Sequence, residues 1–310
     1  MIFLCGIPSE TPLRLVADQL QRAGADVLLL NQRDFADCDV EFEINQASVA
    51  GNLRVKDRAY PLESFQSIYT RMMDDRYLPE LEDEPEGSPL RLQCRGFHDA
   101  LIRWMEVAPQ LVINRIAAMS SNISKPYQTQ LIRQHGLAIP ETLITNDPAR
   151  VREFYERHGK VIYKSISAAR SIVQTLTEAD FERMEHVRWC PTQFQAFVEG
   201  TNVRVHVVGE EVFATAVNSD ATDYRYAAQQ SGKDAELREV ELSGELSGQC
   251  VRLSQSMGLA FSGIDLKVTP ADEVFCFEVN PSPAFSYYEL NTGQPIAAAV
   301  ARCLMNAKAA

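Results

Sequence analysis

The chain has 310 residues, 45% hydrophobic and 23% charged, with a formal net charge of -12. That length buries one large core or two to three smaller ones, and the charge leaves no global basic surface for a phosphate backbone, which excludes a nucleic-acid binder. Met1-Ile2-Phe3-Leu4-Cys5-Gly6-Ile7-Pro8 has too short an apolar run and no basic start for a signal peptide, and no later stretch is apolar enough to span a membrane, so no membrane association and a cytoplasmic setting are expected.

Short apolar strand pattern alternates with helical pattern from the start: Ile2 to Cys5, then Leu13 to Ala23, then Val27 to Leu30 after Gly24. This is a β-α-β rhythm. Neither a Gly-x-Gly-x-x-Gly nor a Gly-x-x-x-x-Gly-Lys-Ser/Thr stretch follows the first strand, so a nucleotide must bind elsewhere. Asp74 to Glu86 carries seven acids among prolines and reads as a solvated loop, with docking of a basic peptide as its functional alternative. Helical pattern runs from Pro89 to Val107, a strand over Leu111 to Ile113, and a helix from Lys125 to His135 stopped by Gly136. Past Pro140, a strand beginning at Val161-Ile162-Tyr163-Lys164, a helix over Glu178 to Glu185 and a strand over Phe194 to Val198 sketch a small α+β unit.

Several polar residues in this middle region stand where strands end. Lys164 closes a short apolar strand, and Ser165 to Ser171 behind it is a small-residue stretch able to fold over phosphates. Gln195-Ala196-Phe197-Val198 meets Glu199-Gly200, a hinge that presents backbone groups to a purine. Val203, Val205 and Val207 line one face of the next strand, with Arg204 and His206 on the other. Arg204 is a candidate to enter a cleft, and His206 reads as structural.

The most informative stretch is Phe261 to Asn280, two strands joined by a turn. If the turn is centred between Ala271 and Asp272, Ile264 faces Val279, Leu266 faces Phe277 and Val268 faces Phe275 on one apolar side. Asp265 then faces Glu278 on the other side, with Gly263 opposite Asn280. Directly opposed like charges cost a sheet up to ~1 kcal/mol, so the pair calls for a cation between its carboxylates. Cys5, Cys38, Cys94, Cys190, Cys250, Cys276 and Cys303 form no Cys-x-x-Cys pair, and the five histidines offer no matching spacing. Oxygen ligands alone select Mg2+ or Mn2+ shared with substrate phosphates. Gly263 leaves room for metal and phosphate in this register, and Lys267 reads as structural.

Lys125, Lys164, the Gln195 to Gly200 hinge, Arg204, Asp265 and Glu278-Val279-Asn280-Pro281 resemble the ATP-grasp ligase superfamily in order and spacing, from Asn114 onward. The chain is most similar to ribosomal-protein glutamate ligases and ATP-grasp ribosomal peptide maturases, whose Asn-Pro or Asn-Ser ending Ser282-Pro283, Glu289 and Thr292-Gly293 fit. The resemblance implies α/β and α+β architecture: an N-terminal α/β pre-ATP-grasp domain (1–115), a central lid subdomain (116–192) and a C-terminal subdomain with the Mg site (193–310). It implies ATP and Mg2+, with Lys125 and Lys164 on phosphates, Gln195, Ala196, Phe197 and Val198 around adenine and Glu199 on the ribose. Asp265, Glu278 and Asn280 would hold the metal, and Arg204 and Arg225 the transferred phosphate or acyl phosphate.

The implied reaction is ATP-dependent ligation of a carboxylate to an amine through an acyl phosphate, with an amino acid or peptide as substrate. Side-chain ester or lactam formation on a peptide is the alternative within that class, and a non-catalytic ATP-binding regulator the alternative outside it. The residues leave the oligomeric state open, homodimer included.

Overall fold

The computed structural model describes residues 1–46, 48–165, 173–218 and 235–307, with Ser165 described by its backbone alone. The chain packs as two units, one of Met1–Met119, Gly258–Phe261 and Ala284–Ala310, the other of Ser120–Met257 and Ser262–Pro283.

In the first unit, β1 (Ile2–Gly6), β2 (Val27–Asn31), β6 (Ser67–Arg71) and β7 (Leu111–Ile113) make a parallel sheet in the order β2-β1-β6-β7. Every residue of β1 is buried, as a strand covered on both faces requires. Phe3 stacks on Phe65 at 4.9 Å between centroids, and Trp104 of the helix Pro89–Val107 lies 6.0 Å from Phe3. That helix starts where Ser88 Oγ accepts from the Arg91 amide, and it buries Cys94, Phe97, Leu101 and Trp104 at helical spacing. Beside the parallel sheet, β3 (Cys38–Ile44), β4 (Val49–Val55) and β5 (Arg58–Pro61) form an antiparallel meander.

Two expectations change here. The acidic stretch is built rather than a plain loop: 3-10 turns at Asp75–Tyr77 and Pro79–Leu81 bury Leu78 and Leu81, and Asp74, Asp75 and Glu80 pair with Arg76, Arg95 and Arg33. The sequence carries its own cations for these acids, which weakens the case for a basic partner. Residues 284–310, expected with the C-terminal subdomain, instead join the N-terminal unit. The helix Ile296–Met305 is apolar nearly all round and buries Ile296, Ala297, Val300 and Leu304, so it needs covering, and it packs on the helix Thr11–Arg22.

In the second unit, β8 (Thr142–Thr145), β9 (Val161–Ser165), β10 (Gln174–Thr175) and β11 (Thr192–Ala196) form an antiparallel sheet in the order β10-β9-β11-β8. A larger sheet orders β12 (Thr201–Val208), β13 (Glu211–Asn218), β14 (Glu236–Val240), β15 (Phe261–Val268) and β16 (Val274–Asn280) as β14-β13-β12-β15-β16. The expected helix over Glu178 to Glu185 is a short one, Glu178–Phe181, followed by a 3-10 stretch over Met184–Trp189.

The hinge between β11 and β12 turns on Gly200, at φ +147°, where a Cβ would lie 2.2 Å from the Val268 carbonyl oxygen. Backbone cannot yield there as a flexible side chain does. Gly200→Ala is expected to cost about 1–3 kcal/mol of stability. Thermal unfolding would read this as a melting point lowered by several degrees, and an unchanged melting point would mean that the hinge does not need glycine.

Candidate active site

The β15–β16 hairpin sets the site. Gly263 faces Asn280, Ile264 faces Val279 and Asp265 faces Glu278, as the alternation predicts. Beyond Asp265 the register shifts, so Leu266 faces Cys276 and Val268 faces Val274 rather than Phe277 and Phe275. The cause lies in the turn. Thr269 N–H donates to the Glu273 carbonyl at 2.9 Å, and Asp272 sits at φ 60°, which closes a three-residue loop over 270–272. An odd loop cannot keep the predicted pairing throughout, and a bulge at Phe277 absorbs the difference. Cys276 takes the core position opposite Leu266, both at most 2% exposed, while Phe277 lines the pocket beside Asp265 and Glu278.

Each facing carboxylate holds a cation. Lys125 Nζ lies 2.6 Å from Glu278 Oε1, and Arg204 Nη1 lies 2.7 Å from Asp265 Oδ1. Lys125 opens the helix Lys125–Gln134, whose N-terminus is capped by Ser124 Oγ accepting from the Tyr127 amide. Gln128, three residues on, is buried and binds both backbone groups of Val279: its Nε2 donates to the carbonyl at 2.7 Å and its Oε1 accepts from the amide at 3.0 Å. One side chain thus completes the open edge of β16 and fixes Lys125 beside Glu278. Nothing in the residue order announces this, because the two partners are 151 positions apart.

The space opposite Asn280 is used differently from the expectation. A Cβ on Gly263 would lie 2.6 Å from Arg204 Nη2 and 2.8 Å from its Cζ, so the missing side chain admits the guanidinium itself. Arg204 is accordingly buried. Asn280 Oδ1 accepts from the Ser282 amide at 2.9 Å.

A single pocket of the second unit brings together Lys164, Gln195, Phe197, Val198, Asp265 and Glu278. Ile162, Phe277 and Lys267 also line it, and Lys267 is therefore a pocket residue rather than a structural one. Its ammonium lies 5.2 Å from the centre of the Phe197 ring, with Lys160 3.6 Å from the same ring. Burial, with Lys160 nearby, pulls the Lys267 pKa below the usual lysine value. Among the expected hinge contacts, the Ala196 amide is already committed to the Glu141 carbonyl at 2.9 Å and the Phe197 amide to the Lys160 carbonyl at 3.0 Å. Glu199 is exposed. His206 is fully buried, and that burial, with Arg204 beside it, drives its pKa well down and keeps the ring neutral, as suits a structural histidine. Arg225 and the stretch 166–171 lie outside the described residues.

The donor set fits a hard divalent cation held in part by a substrate. Two carboxylates face each other with an amide oxygen two pairs along, on the same face, and no group of three His, Cys, Asp or Glu side chains converges among the described residues as a closed cage would require. No helix among the described residues is long and apolar enough to cross a membrane.

Known proteins resemble this chain in sequence and in fold. A model of the RimK-like ATP-grasp domain matches residues 123–304. A probable alpha-L-glutamate ligase of Alkalilimnicola ehrlichii is 24% identical over 259 residues, covering 77% of this chain and 83% of its own. Another from Vibrio parahaemolyticus is 26% identical over 210 residues, covering 64% of this chain and 68% of its own. Among solved structures, the ATP-grasp ligase PsnB complexed with a minimal precursor superposes with a TM-score of 0.80 at 27% identity, over 98% of this chain and 97% of that one. The macrocyclase MdnC of Microcystis aeruginosa, bound with its precursor peptide, shares the fold at a TM-score of 0.81 and 23% identity, over 99% and 100% of the two chains.

Proposed function

This chain belongs to the RimK-like ATP-grasp family, and from that premise we propose that it joins the carboxylate of an amino acid or peptide to an amine in a pocket built by Lys164, Gln195, Asp265 and Glu278. It is an ATP-dependent ligase that uses Mg2+. The observation that carries the assignment of the site is the convergence on one pocket of a buried amide, an apolar slot, a lysine and two facing carboxylates. In our reading the base enters between Ile162 and Phe277, the phosphates run toward Lys164 and Lys125, and Asp265, Glu278 and Asn280 supply metal ligands.

The reaction follows from where charge must be held. The substrate carboxylate attacks the γ-phosphorus, ADP leaves, and the amine then attacks the acyl carbon and expels phosphate. Bound Mg2+ supplies charge neutralisation along the phosphates. The chain itself contributes fixed cations: Arg204, held in place by Asp265 and the gap at Gly263, meets the transferred phosphoryl group, and Lys125 and Lys164 orient the triphosphate. No side-chain nucleophile is required. Arg225 stays a proposed second cation for the acyl phosphate.

Glutamate-ligase relatives support an amino-acid donor or acceptor. Likeness to PsnB, solved with a precursor, supports a second reading in which the substrate is a peptide and the product an ester or lactam. The three-part division at 115 and 192 and a cytoplasmic setting remain part of this proposal. The deciding experiment is Mg-dependent ADP release against amino acids, dipeptides and acidic peptides, with hydroxylamine present to trap acyl phosphate. Hydroxamate that depends on one carboxylate is expected, and it names the donor. ATP binding without hydroxamate or ADP release across the whole panel would instead favour a non-catalytic nucleotide-binding role.

A further inference from the structure

Gln195 sits on β11 with its side chain in the pocket and its residue surface only 7% exposed. Its amide nitrogen donates to Thr142 Oγ1 at 3.0 Å across the β8–β11 pair, and its Oε1 is buried with no hydrogen-bond partner. Thr142 in turn donates its hydroxyl proton to the Pro140 carbonyl at 2.9 Å. A carbonyl only accepts, so the direction of this relay is fixed from its far end. With its one proton spent on Pro140, Thr142 Oγ1 has lone pairs alone for Gln195, and Nε2 must face it.

We propose that Thr142, by fixing which end of the Gln195 amide faces the pocket, makes the pocket select a 6-amino purine over a 6-oxo purine. The inference rests on the reading that this pocket holds the nucleotide base. With the amide held, Oε1 is a buried acceptor in need of a donor, which the exocyclic amine of adenine supplies and the O6 of hypoxanthine or guanine does not. Turning the amide round to greet O6 sets Oε1 against Thr142 Oγ1. Either those two oxygens then share no proton, or Thr142 abandons the Pro140 carbonyl. Each outcome orphans one acceptor. Thr142 itself is exposed, so water softens the loss, and the lock is worth about one hydrogen bond. Thr142 is a positioning residue: it acts on the base through Gln195.

The test is the ratio of ATP to ITP affinity in the presence of Mg2+, measured by titration calorimetry on the whole chain without a second substrate. ITP differs from ATP in carrying oxo for amino at the 6-position and, as that tautomer requires, a proton on the adjacent N1. The parent chain should prefer ATP by about tenfold or more. Thr142→Val keeps the side chain's shape but frees the amide to turn, and should bring the two affinities within about threefold, chiefly by tightening ITP. Thr142→Ser restores the hydroxyl and should restore the parent ratio. A purely structural role would weaken both nucleotides together. An unchanged ratio in Thr142→Val overturns the relay while leaving the pocket's assignment intact. Failure of the parent chain to bind either nucleotide overturns that assignment, and the proposal with it.

Discussion

Glu278→Gln is expected to lower kcat/KM about a hundred- to a thousandfold while the protein stays folded. The substitution keeps the size of the side chain and leaves an oxygen for Lys125, which now lies 2.6 Å from Glu278. It removes the formal charge that both the lysine and a divalent cation require. Loss of one preorganised electrostatic group in a phosphoryl-transfer site commonly costs that factor. The effect should divide by ligand. Nucleotide binding measured without metal should change little or tighten, since Lys125 is released from its carboxylate, whereas the gain in nucleotide affinity on adding Mg2+ should disappear. Near-parental turnover in Glu278→Gln would show that the facing pair is merely a polar surface of the sheet. The melting temperature serves as control, because glutamine keeps the bulk of the side chain and an accepting oxygen for Lys125 in this largely buried pair.

Much of this geometry was legible in the residues because it follows from a period of two. The alternation from Ile264 to Asp265 and from Glu278 to Val279 fixes which side chains share a face, and one constraint sufficed to set the carboxylates opposite each other. What failed came from facts that no local pattern carries. Pro270-Ala271-Asp272 contains no glycine to announce a left-handed residue, so the three-residue turn and its compensating bulge were invisible. With them went the correct placing of Phe277 and Lys267. Gln128 was unreadable for another reason. A glutamine in a helix looks like a solvated polar residue until a strand edge distant in sequence offers it a matching amide and carbonyl. Ile296 to Met305 is apolar in sequence, but which unit it covers depends on where another helix, Thr11–Arg22, leaves its apolar face bare.

Gly263→Ala tests the most economical of these non-local contacts, and its expected result is an active-site defect without a folding defect. The added methyl would stand 2.6 to 2.9 Å from three atoms of the Arg204 guanidinium, too close for either to remain. The guanidinium is the far end of a flexible side chain, so it gives way while the strand holds. Alanine also loses less backbone freedom than glycine on folding, which offsets part of the crowding by about 0.5–1 kcal/mol. Stability should therefore stay close to that of the parent. Catalysis should not. Moving Arg204 breaks its 2.7 Å pairing with Asp265 and takes the cation from the place where the transferred phosphoryl group is held, so kcat/KM should fall by about a hundredfold. Arg204→Ala should produce a similar loss, and the double variant should be no worse than Arg204→Ala alone, because both changes remove one interaction. Additive losses would mean that Gly263 serves something other than the arginine, such as the close approach of substrate. Parental activity in Gly263→Ala would mean that the guanidinium has a second productive position, and that Arg204 acts from wherever the pocket leaves it room.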